Sequence, residues 1–492
     1  MLRVLHGKFQ TDAVRIFVTA WLIYAVFWNP WLHSSMTWNF LDAAVSFVET
    51  GRWEMAHPHF YDWKDTVTVN GRVVSNHPPG VAVLVIPLYG FWRVIVGPVD
   101  TPEAFQAFNA VLVLVVGATV SSLIVVQVWW LTGWLGAGRR GQLLTAALVA
   151  FGTPNFFLGT VLFKESFAAL AVLTAFRLAL APGKSWRMAA AGSSAGAATL
   201  FALQSGLIGP LLLALVGARH GAKRGAVFFL GFMPVVVLLG VYNWWLFGQP
   251  WRSGYFYAGN ATHPSFVMPK LGVLLDLLAG PHGGSFLYSP FLFLACAGIG
   301  VAWRIGRRGE AVVAVLLMVG LWLGVGAHQS EYGERATFAT NLGHRMLYPA
   351  VPLFAGFAGY YLERSGRNVL LLVAVPSLFC GYLSAQAGVI SDPGLFTYAL
   401  KTWISGTGMA VLFKEALPKW LGFDTLHTVV SRPDVSAENI LRVLPTGEGI
   451  ELVRNQLLML GANVIVLGGI VWFLRRWWKE NRREKLHANF EG

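Results

Sequence analysis

Carboxylate and imidazole side chains are concentrated in one early stretch of the chain. They are Asp42, Glu54, His57, His59, Asp62, Asp65 and His77. A carboxylate can take a proton from a reacting hydroxyl, so the stretch has residue types suited to general base catalysis. His57 and His59 flank a proline near carboxylates, but no zinc-ligand spacing is present. Acceptor-binding side chains in a solvated loop explain the stretch better. We therefore expect no cofactor, with a divalent metal as the alternative.

Residues 38–50 have the periodicity of an amphipathic helix, with Asn39, Asp42, Ser46 and Glu49 on its polar face. Either Asp42 faces a watery cavity as a general base, or this is merely the solvated side of an interfacial helix. Downstream, residues 71–80 (GRVVSNHPPG) predict a rigid turn, because proline restricts its own backbone and that of the residue before it.

Three later segments carry features suited to an anion. The glycine-rich run 280–290 can expose backbone N–H groups beside a helix start, although a flexible hairpin is the simpler reading. Arg345 begins an apolar run and could bind a phosphate through two hydrogen bonds, or extend to lipid headgroups. Lys164 and Glu165 also begin an apolar run, where they could simply pair with each other.

The elements that would position these residues are membrane helices. The 492 residues are 55% hydrophobic and 12% charged, and apolar runs of about 17–25 residues recur. We predict an all-α integral membrane protein with about twelve spans and a large first outer loop, 32–104. The spans are 13–31, 105–131, 142–159, 162–182, 188–204, 206–218, 225–246, 285–303, 311–327, 346–362, 368–388 and 456–474.

The net charge of +13 lies in short clusters between the apolar runs, which is the positive-inside pattern and not a nucleic-acid surface. Both termini are therefore predicted to be cytoplasmic. This pattern requires 80–97 to lie on the outer face as an interfacial helix, since one more span would invert every later loop. Residues 1–390 are interpreted as the functional region, 391–455 as an outer segment of unknown role, and 456–492 as the last span with a basic tail.

The order of these features resembles a known family. One helix precedes an outer loop with carboxylates, then the turn 71–80, many spans, and the motifs FGQP (247–250), GGSFLYSP (283–290) and GHRMLYPAVP (343–352). This is similar to bacterial GT-C fold glycosyltransferases of the protein mannosyltransferase and aminoarabinose transferase group, over most of residues 1–390.

The resemblance implies inverting-type transfer of a sugar from a polyprenyl-phosphate donor to a glycan, lipid or protein acceptor at the outer face of the cell membrane. It implies an acidic residue of the first outer loop as base, which leaves Asp42 and Asp65 as candidates. It also implies basic residues at outer helix ends as phosphate ligands, for which Lys164, His282, His344 and Arg345 are the candidates. Glu54, His57, His59, Asp62 and His77 would bind sugar or acceptor. The alternatives are a transporter or flippase, and a related glycan polymerase or ligase.

Overall fold

The computed structural model describes residues 2–29, 34–57, 60, 65–181, 184–257, 267–331, 333 and 342–387, with isolated positions from 399 onward. Within these ranges nearly all regular structure is helical. The predicted segment 391–455 and the last predicted span, 456–474, lie outside the continuously described residues.

Each predicted span before residue 390 coincides with one helix or with a series of short helical segments. The helices are α1 (Leu2–Val26), α2 (Ser35–Thr50), α3 (Gly80–Ile95), α4 (Pro102–Leu112), α5 (Ala118–Trp134), α6 (Arg139–Phe151), α7 (Asn155–Leu158), α8 (Lys164–Leu180), α9 (Ser185–Phe201), α10 (Ile208–His220), α11 (Ala222–Phe247), α12 (Leu271–Ala279), α13 (Ser285–Tyr288), α14 (Leu292–Arg304), α15 (Arg308–Ser330), α16 (Val351–Ala355), α17 (Gly359–Arg364) and α18 (Arg367–Ala387).

Four helices of the described part are long and apolar enough to cross a membrane. They are Pro102–Trp134, in which a π-helical turn at Val113–Gly117 joins α4 to α5, and α11, α15 and α18. These helices and the composition are those of a membrane protein. The total of about twelve spans stays a prediction.

A short β-hairpin, which the sequence analysis did not predict, interrupts the otherwise helical pattern in the first loop. Strand β1 (Thr66–Val69) pairs antiparallel with β2 (Arg72–Ser75). The connecting Asn70 and Gly71 both have positive φ, 52° and 77°, which is the signature of a two-residue type I′ turn. The sequence carries this signal, because Asn-Gly stands between two runs rich in β-branched residues.

Basic residues at helix ends meet at one end of the helix bundle. Nη1 of Arg219 and Nη1 of Arg307 lie 2.7 and 3.5 Å, respectively, from Oε1 of Glu310. Both guanidinium groups also lie over the ring of Trp134. A second group at this end comprises the contacts of Arg139 with Asp12 and of Arg140 with the carbonyls of Glu363 and Ser365. Several clusters that were predicted to share one membrane side therefore share one end of the bundle, here called the basic end.

Helix α3 lies at the opposite end. Its first residue, Gly80, fits against the carbonyl of Leu200 near the end of α9, where a Cβ would come within 2.6 Å. In its last turns, the ring centroid of Trp92 lies 5.3 Å from that of Phe108. Phe108 precedes Trp134 by 26 residues of continuous helix, about 39 Å of axis at 1.5 Å per residue. That length exceeds a hydrocarbon core of about 30 Å, so the last turns of α3 lie far from the basic end.

Candidate active site

Asp65 lies at the start of the hairpin, where three side chains contact it. The hydroxyl of Ser35, in the first turn of α2, donates a hydrogen bond to Oδ2 of Asp65. The side-chain amide of Asn39 donates to its backbone carbonyl at 2.6 Å. Nε2 of His77 lies 3.8 Å from the same Oδ2. The Asp65 side chain keeps 31% of its surface exposed, so a substrate can still reach the carboxylate.

The hairpin register explains why Asp65 and His77 meet. Thr66 pairs with Ser75, so the residues just before and just after the hairpin lie side by side. The amide of Asn76 donates to the carbonyl of Asp65 at 3.2 Å and closes this junction. Two residues that are twelve positions apart in the chain are therefore placed together by the pairing of two short strands.

His77 connects Asp65 to a buried cation. Nζ of Lys164, at the start of α8, lies 3.1 Å from Nδ1 of His77 and 2.5 Å from the hydroxyl of Tyr255. The Tyr255 hydroxyl is itself 3.0 Å from Nδ1 of His77. Gly254 permits this approach, because a Cβ at that position would lie 2.4 Å from Cα of Asn76. Lys164 bears a positive charge, so the natural arrangement has Lys164 donating to Nδ1 and the Nε2–H of His77 facing Asp65.

Burial and neighbouring charges shift both titrating groups. Burial and the charge of Lys164 lower the pKa of His77 to about 4, against the opposing effect of Asp65. Burial alone would raise the pKa of Asp65, but His77, Ser35 and Arg345 together bring that pKa below its usual value. At neutral pH, Asp65 is therefore a carboxylate and His77 is a neutral imidazole.

Arg345 supplies a second cation near this group. Its guanidinium lies over the ring of Phe163, 5.1 Å from the centroid, and Nη1 is 3.7 Å from the sulfur of Met36. Within the described ranges, no carboxylate oxygen lies within 4 Å of the side-chain nitrogens of Arg345 or Lys164, and Nε of Arg345 is buried without a hydrogen bond. A second anchor fixes the following turn, since the hydroxyl of Tyr348 donates to Asn155 at 2.5 Å.

A large apolar cavity begins at Lys164. Its volume is about 710 Å³, and Lys164, Tyr255 and His328 are among its polar wall residues. The apolar wall comes mainly from two of the long helices, α11 and α15, and is formed by residues that include Val236, Val237, Leu239, Val325 and Met346. We call it the Lys164 cavity.

Asp42 has a different environment from the one expected. Most of the polar face of α2 does not border water, because Asn39, Asp42 and Ser46 are buried, and only Glu49 at its end is exposed. Oδ2 of Asp42 accepts the backbone N–H of His57 at 3.0 Å, and Oδ1 lies 2.9 Å from Nδ1 of the same residue. Asp42 thus ties the loop to α2, and its carboxylate is engaged on both oxygens.

The other predicted site residues are dispersed. Glu54 lies 3.4 Å from Arg72 beside the hairpin. His344 is buried next to Arg345. His282 lies against Asp276 in a separate cavity that shares no wall residue with the Lys164 cavity. His59 and Asp62 lie outside the described residues. In the described part of the chain, no group of three or more His, Cys, Asp or Glu side chains is arranged to hold a metal ion.

The alternative in which Lys164 and Glu165 pair with each other is not the arrangement in the structure. Lys164 turns to His77 and Tyr255, whereas both carboxylate oxygens of Glu165 are buried without a hydrogen-bond partner among the described residues. Ser35 and Tyr255 were not among the predicted site residues, and Asn39 was predicted only to lie on the polar face of a helix. Ser35 and Asn39 are adjacent to a helix start that was recognised, but no local pattern indicates that Tyr255 reaches His77 across 178 residues.

No family model matches this sequence, and no curated protein sequence matches it. Solved structures similar to this chain include ArnT from Cupriavidus metallidurans in the apo state, at 13% identity and a TM-score of 0.47, covering 95% of this chain and 78% of that one. They also include the archaeal oligosaccharyltransferase AglB from Archaeoglobus fulgidus in complex with an inhibitory peptide and a dolichol-phosphate. That match has 12% identity and a TM-score of 0.46, and covers 87% of this chain and 61% of that one. Both are GT-C fold glycosyltransferases, the group that the sequence motifs resemble.

Proposed function

We propose that this protein is a membrane glycosyltransferase that moves a sugar from a polyprenyl-phosphate donor to an acceptor hydroxyl on the outer side of the membrane. One observation carries the proposal. An accessible carboxylate lies near two cations that have no carboxylate partner among the described residues, and one of those cations opens onto a large apolar cavity between long apolar helices.

The two cations suit the phosphate of the donor. A buried charge without a counter-ion is costly, so Lys164 and Arg345 favour an anion between them. Arg345 can bind two phosphate oxygens at once through its planar guanidinium. When the bond from the anomeric carbon to the phosphate oxygen breaks, the electron pair stays on the phosphate. The two cations stabilise that developing charge.

Asp65 suits the role of general base. It is ionised at neutral pH, it lies near Arg345, and its side chain remains accessible. The acceptor hydroxyl attacks the anomeric carbon, and its proton passes to Asp65 as the new glycosidic bond forms. A general base of this kind is worth about 10² to 10⁴ in rate. Asp42 is the weaker candidate, because it is fully buried and both of its oxygens face His57.

The apolar cavity suits the donor's lipid chain. Its wall is polar at Lys164 and Tyr255 and mainly apolar along α11 and α15. A polyprenyl phosphate has the same division between a charged head and a hydrocarbon tail. Its volume of about 710 Å³ also falls in the usual range of about 300–1,000 Å³ for ligand pockets.

The test is an activity measurement on the purified protein in lipid nanodiscs. Polyprenyl-phosphate sugars would be supplied with a mixed extract of envelope lipids and glycans, and the release of polyprenyl phosphate would be measured together with the mass of any new product. We expect polyprenyl phosphate to be released only when both the donor and the acceptor extract are present. The product should be heavier than the acceptor by one sugar. The Asp65→Asn variant serves as the matched control and should release polyprenyl phosphate about 10² to 10⁴ times more slowly.

Two results would overturn the proposal. One is the release of polyprenyl phosphate at equal rates by the wild type and by Asp65→Asn. The other is movement of donor across the bilayer of sealed vesicles, without any glycosidic product, which would indicate a flippase. A product heavier by many sugars would favour a polymerase or ligase that acts through the same site.

A further inference from the structure

A second cavity lies beside α12, away from the residues proposed for sugar transfer. Its volume is about 900 Å³, and its wall includes Leu275, Leu278, Phe286 and Phe293. Leu275 and Phe293 are 57% and 58% exposed, so the cavity opens on an apolar outer surface of the bundle. The polar groups on its wall include Asp276 and His282. We call it the His282 cavity.

Asp276 and His282 form a compact pair. The side chain of Asp276 is 9% exposed and that of His282 is 14% exposed. Nδ1 of His282 lies 3.1 Å from Oδ1 and 3.0 Å from Oδ2 of Asp276, and the His282 amide donates to Oδ1 at 3.3 Å. A carboxylate on Nδ1 fixes the tautomer in which Nδ1 carries the proton and Nε2 presents a lone pair.

The pair selects against an anion. The carboxylate of Asp276 places a negative charge directly behind the ring, so a phosphate would meet repulsion there. Among the described residues, Nε2 of His282 has no hydrogen-bond partner. A ligand hydroxyl can donate to this nitrogen without introducing charge. These features differ from the Lys164 cavity, where the wall cation Lys164 lies without a carboxylate partner among the described residues.

The apolar wall of the His282 cavity begins beside the polar pair and continues along α14. His282 precedes α13 in the glycine-rich loop, whereas Phe293 and Cys296 are on successive turns of α14, which ends at Arg304 near the basic end. A headgroup at His282 would therefore leave a hydrocarbon chain lying along α14. The turn is fixed beneath this point, because the Tyr288 hydroxyl donates to the carbonyl of Pro281 at 2.6 Å.

We propose that the His282 cavity binds an uncharged lipid that carries a hydroxyl group, with the hydroxyl donating to Nε2 of His282 and the alkyl chain covering Cys296. The assignment does not depend on sugar transfer, because the two cavities have no wall residue in common. It also changes the expected role of His282, from a ligand of the donor phosphate to a ligand of a separate, neutral lipid.

Cys296 provides a direct measurement, since it lines the cavity and is exposed, whereas Cys380 is buried. The rate of Cys296 alkylation by N-ethylmaleimide would be measured in phosphatidylcholine nanodiscs, whose headgroup has no hydroxyl, with Cys380 replaced by serine. We expect 1-monooleoylglycerol to slow alkylation at least about fivefold, the factor that one ordinary hydrogen bond supplies. Methyl oleate, with the same chain and no hydroxyl, should have little effect.

Variants then identify the residue responsible. His282→Ala should abolish the difference between monooleoylglycerol and methyl oleate, and Lys164→Met should leave it intact. For a readout on the unaltered chain, a photoreactive monoacylglycerol should label peptides of α12 and α14, and unlabelled monooleoylglycerol should prevent this. The proposal is overturned if both lipids protect Cys296 equally, if neither does, if His282→Ala retains the difference, or if photolabelling spreads over all outward-facing helices.

Discussion

Nζ of Lys164 lies 3.1 Å from Nδ1 of His77, although 87 residues separate the two in the chain. The other nitrogen of the same ring faces Asp65 at 3.8 Å. One neutral imidazole thus stands between a buried ammonium group and an accessible carboxylate. This arrangement keeps the positive and negative groups apart, so that each remains available to a different part of a substrate.

The carboxylate substitutions separate the two candidate bases. Asp65→Asn should lower kcat by about 10² to 10⁴ with little change in the KM for donor, because it removes the proton acceptor and keeps the shape. Asp42→Asn should instead lower the unfolding midpoint, since it weakens the pair that holds His57. Steady-state kinetics and thermal unfolding of both variants are the measurements. Full activity in Asp65→Asn would reject Asp65 as the base.

The two cations should act on donor affinity. Lys164→Met and Arg345→Met are each expected to weaken binding of polyprenyl phosphate about tenfold to a hundredfold, the range for a hydrogen bond to a charged group. Binding would be measured by displacement of a labelled polyprenyl phosphate. Arg93→Met is the matched control, because Arg93 pairs with Glu49 on the surface of α3. An equal loss in Arg93→Met would mean that overall charge, and not this site, sets the affinity.

His77 should make folding stability depend on pH between about 4 and 6.5. Its pKa is about 4 in the folded protein against an ordinary 6.5. In this window the unfolded chain binds a proton that the folded chain excludes, so stability falls as the pH falls. A difference of about 2.5 pH units corresponds to about 3 kcal/mol. Unfolding midpoints in detergent, measured from pH 4 to pH 8, should show this slope in the wild type.

The matched variant for that measurement is His77→Gln, which cannot titrate. Its profile should be flatter than that of the wild type by the His77 contribution, since every other histidine is present in both proteins. Parallel profiles would show that His77 takes up a proton in the folded state as readily as in the unfolded chain.

Glu165 and Glu310 form a contrasting pair of buried carboxylates. Glu310 contacts Arg219 at 2.7 Å, whereas neither oxygen of Glu165 has a hydrogen-bond partner among the described residues. Glu310→Met should therefore lower the unfolding midpoint, because it leaves the partly exposed guanidinium groups of Arg219 and Arg307 without their carboxylate. Glu165→Met should raise the unfolding midpoint, because it removes an unsatisfied polar group. A lower midpoint in Glu165→Met would contradict this account.

Most helices could be predicted from the sequence, because the length of an apolar run is a local property. Runs such as 105–131 and 225–246 must be helical if they lie in lipid, where backbone groups must bond within their own segment. The hairpin was equally local, since Asn70-Gly71 between two strand-forming runs predicts a type I′ turn. It went unrecognised because an apolar, helix-rich composition favoured a wholly helical interpretation.

The loop carboxylates and basic helix ends were identified as candidates from residue type alone, but the sequence could not decide among them. Asp42 and Asp65 are equivalent as residue types in one loop, and the tertiary structure decided that one is fully buried against His57 and the other remains accessible beside His77. Likewise, Lys164 and Arg345 were joined to His77 and Met36, and His282 was assigned to another cavity, by contacts between distant segments. Periodicity and composition act over neighbouring residues, whereas burial and pairing depend on which segments the fold brings together.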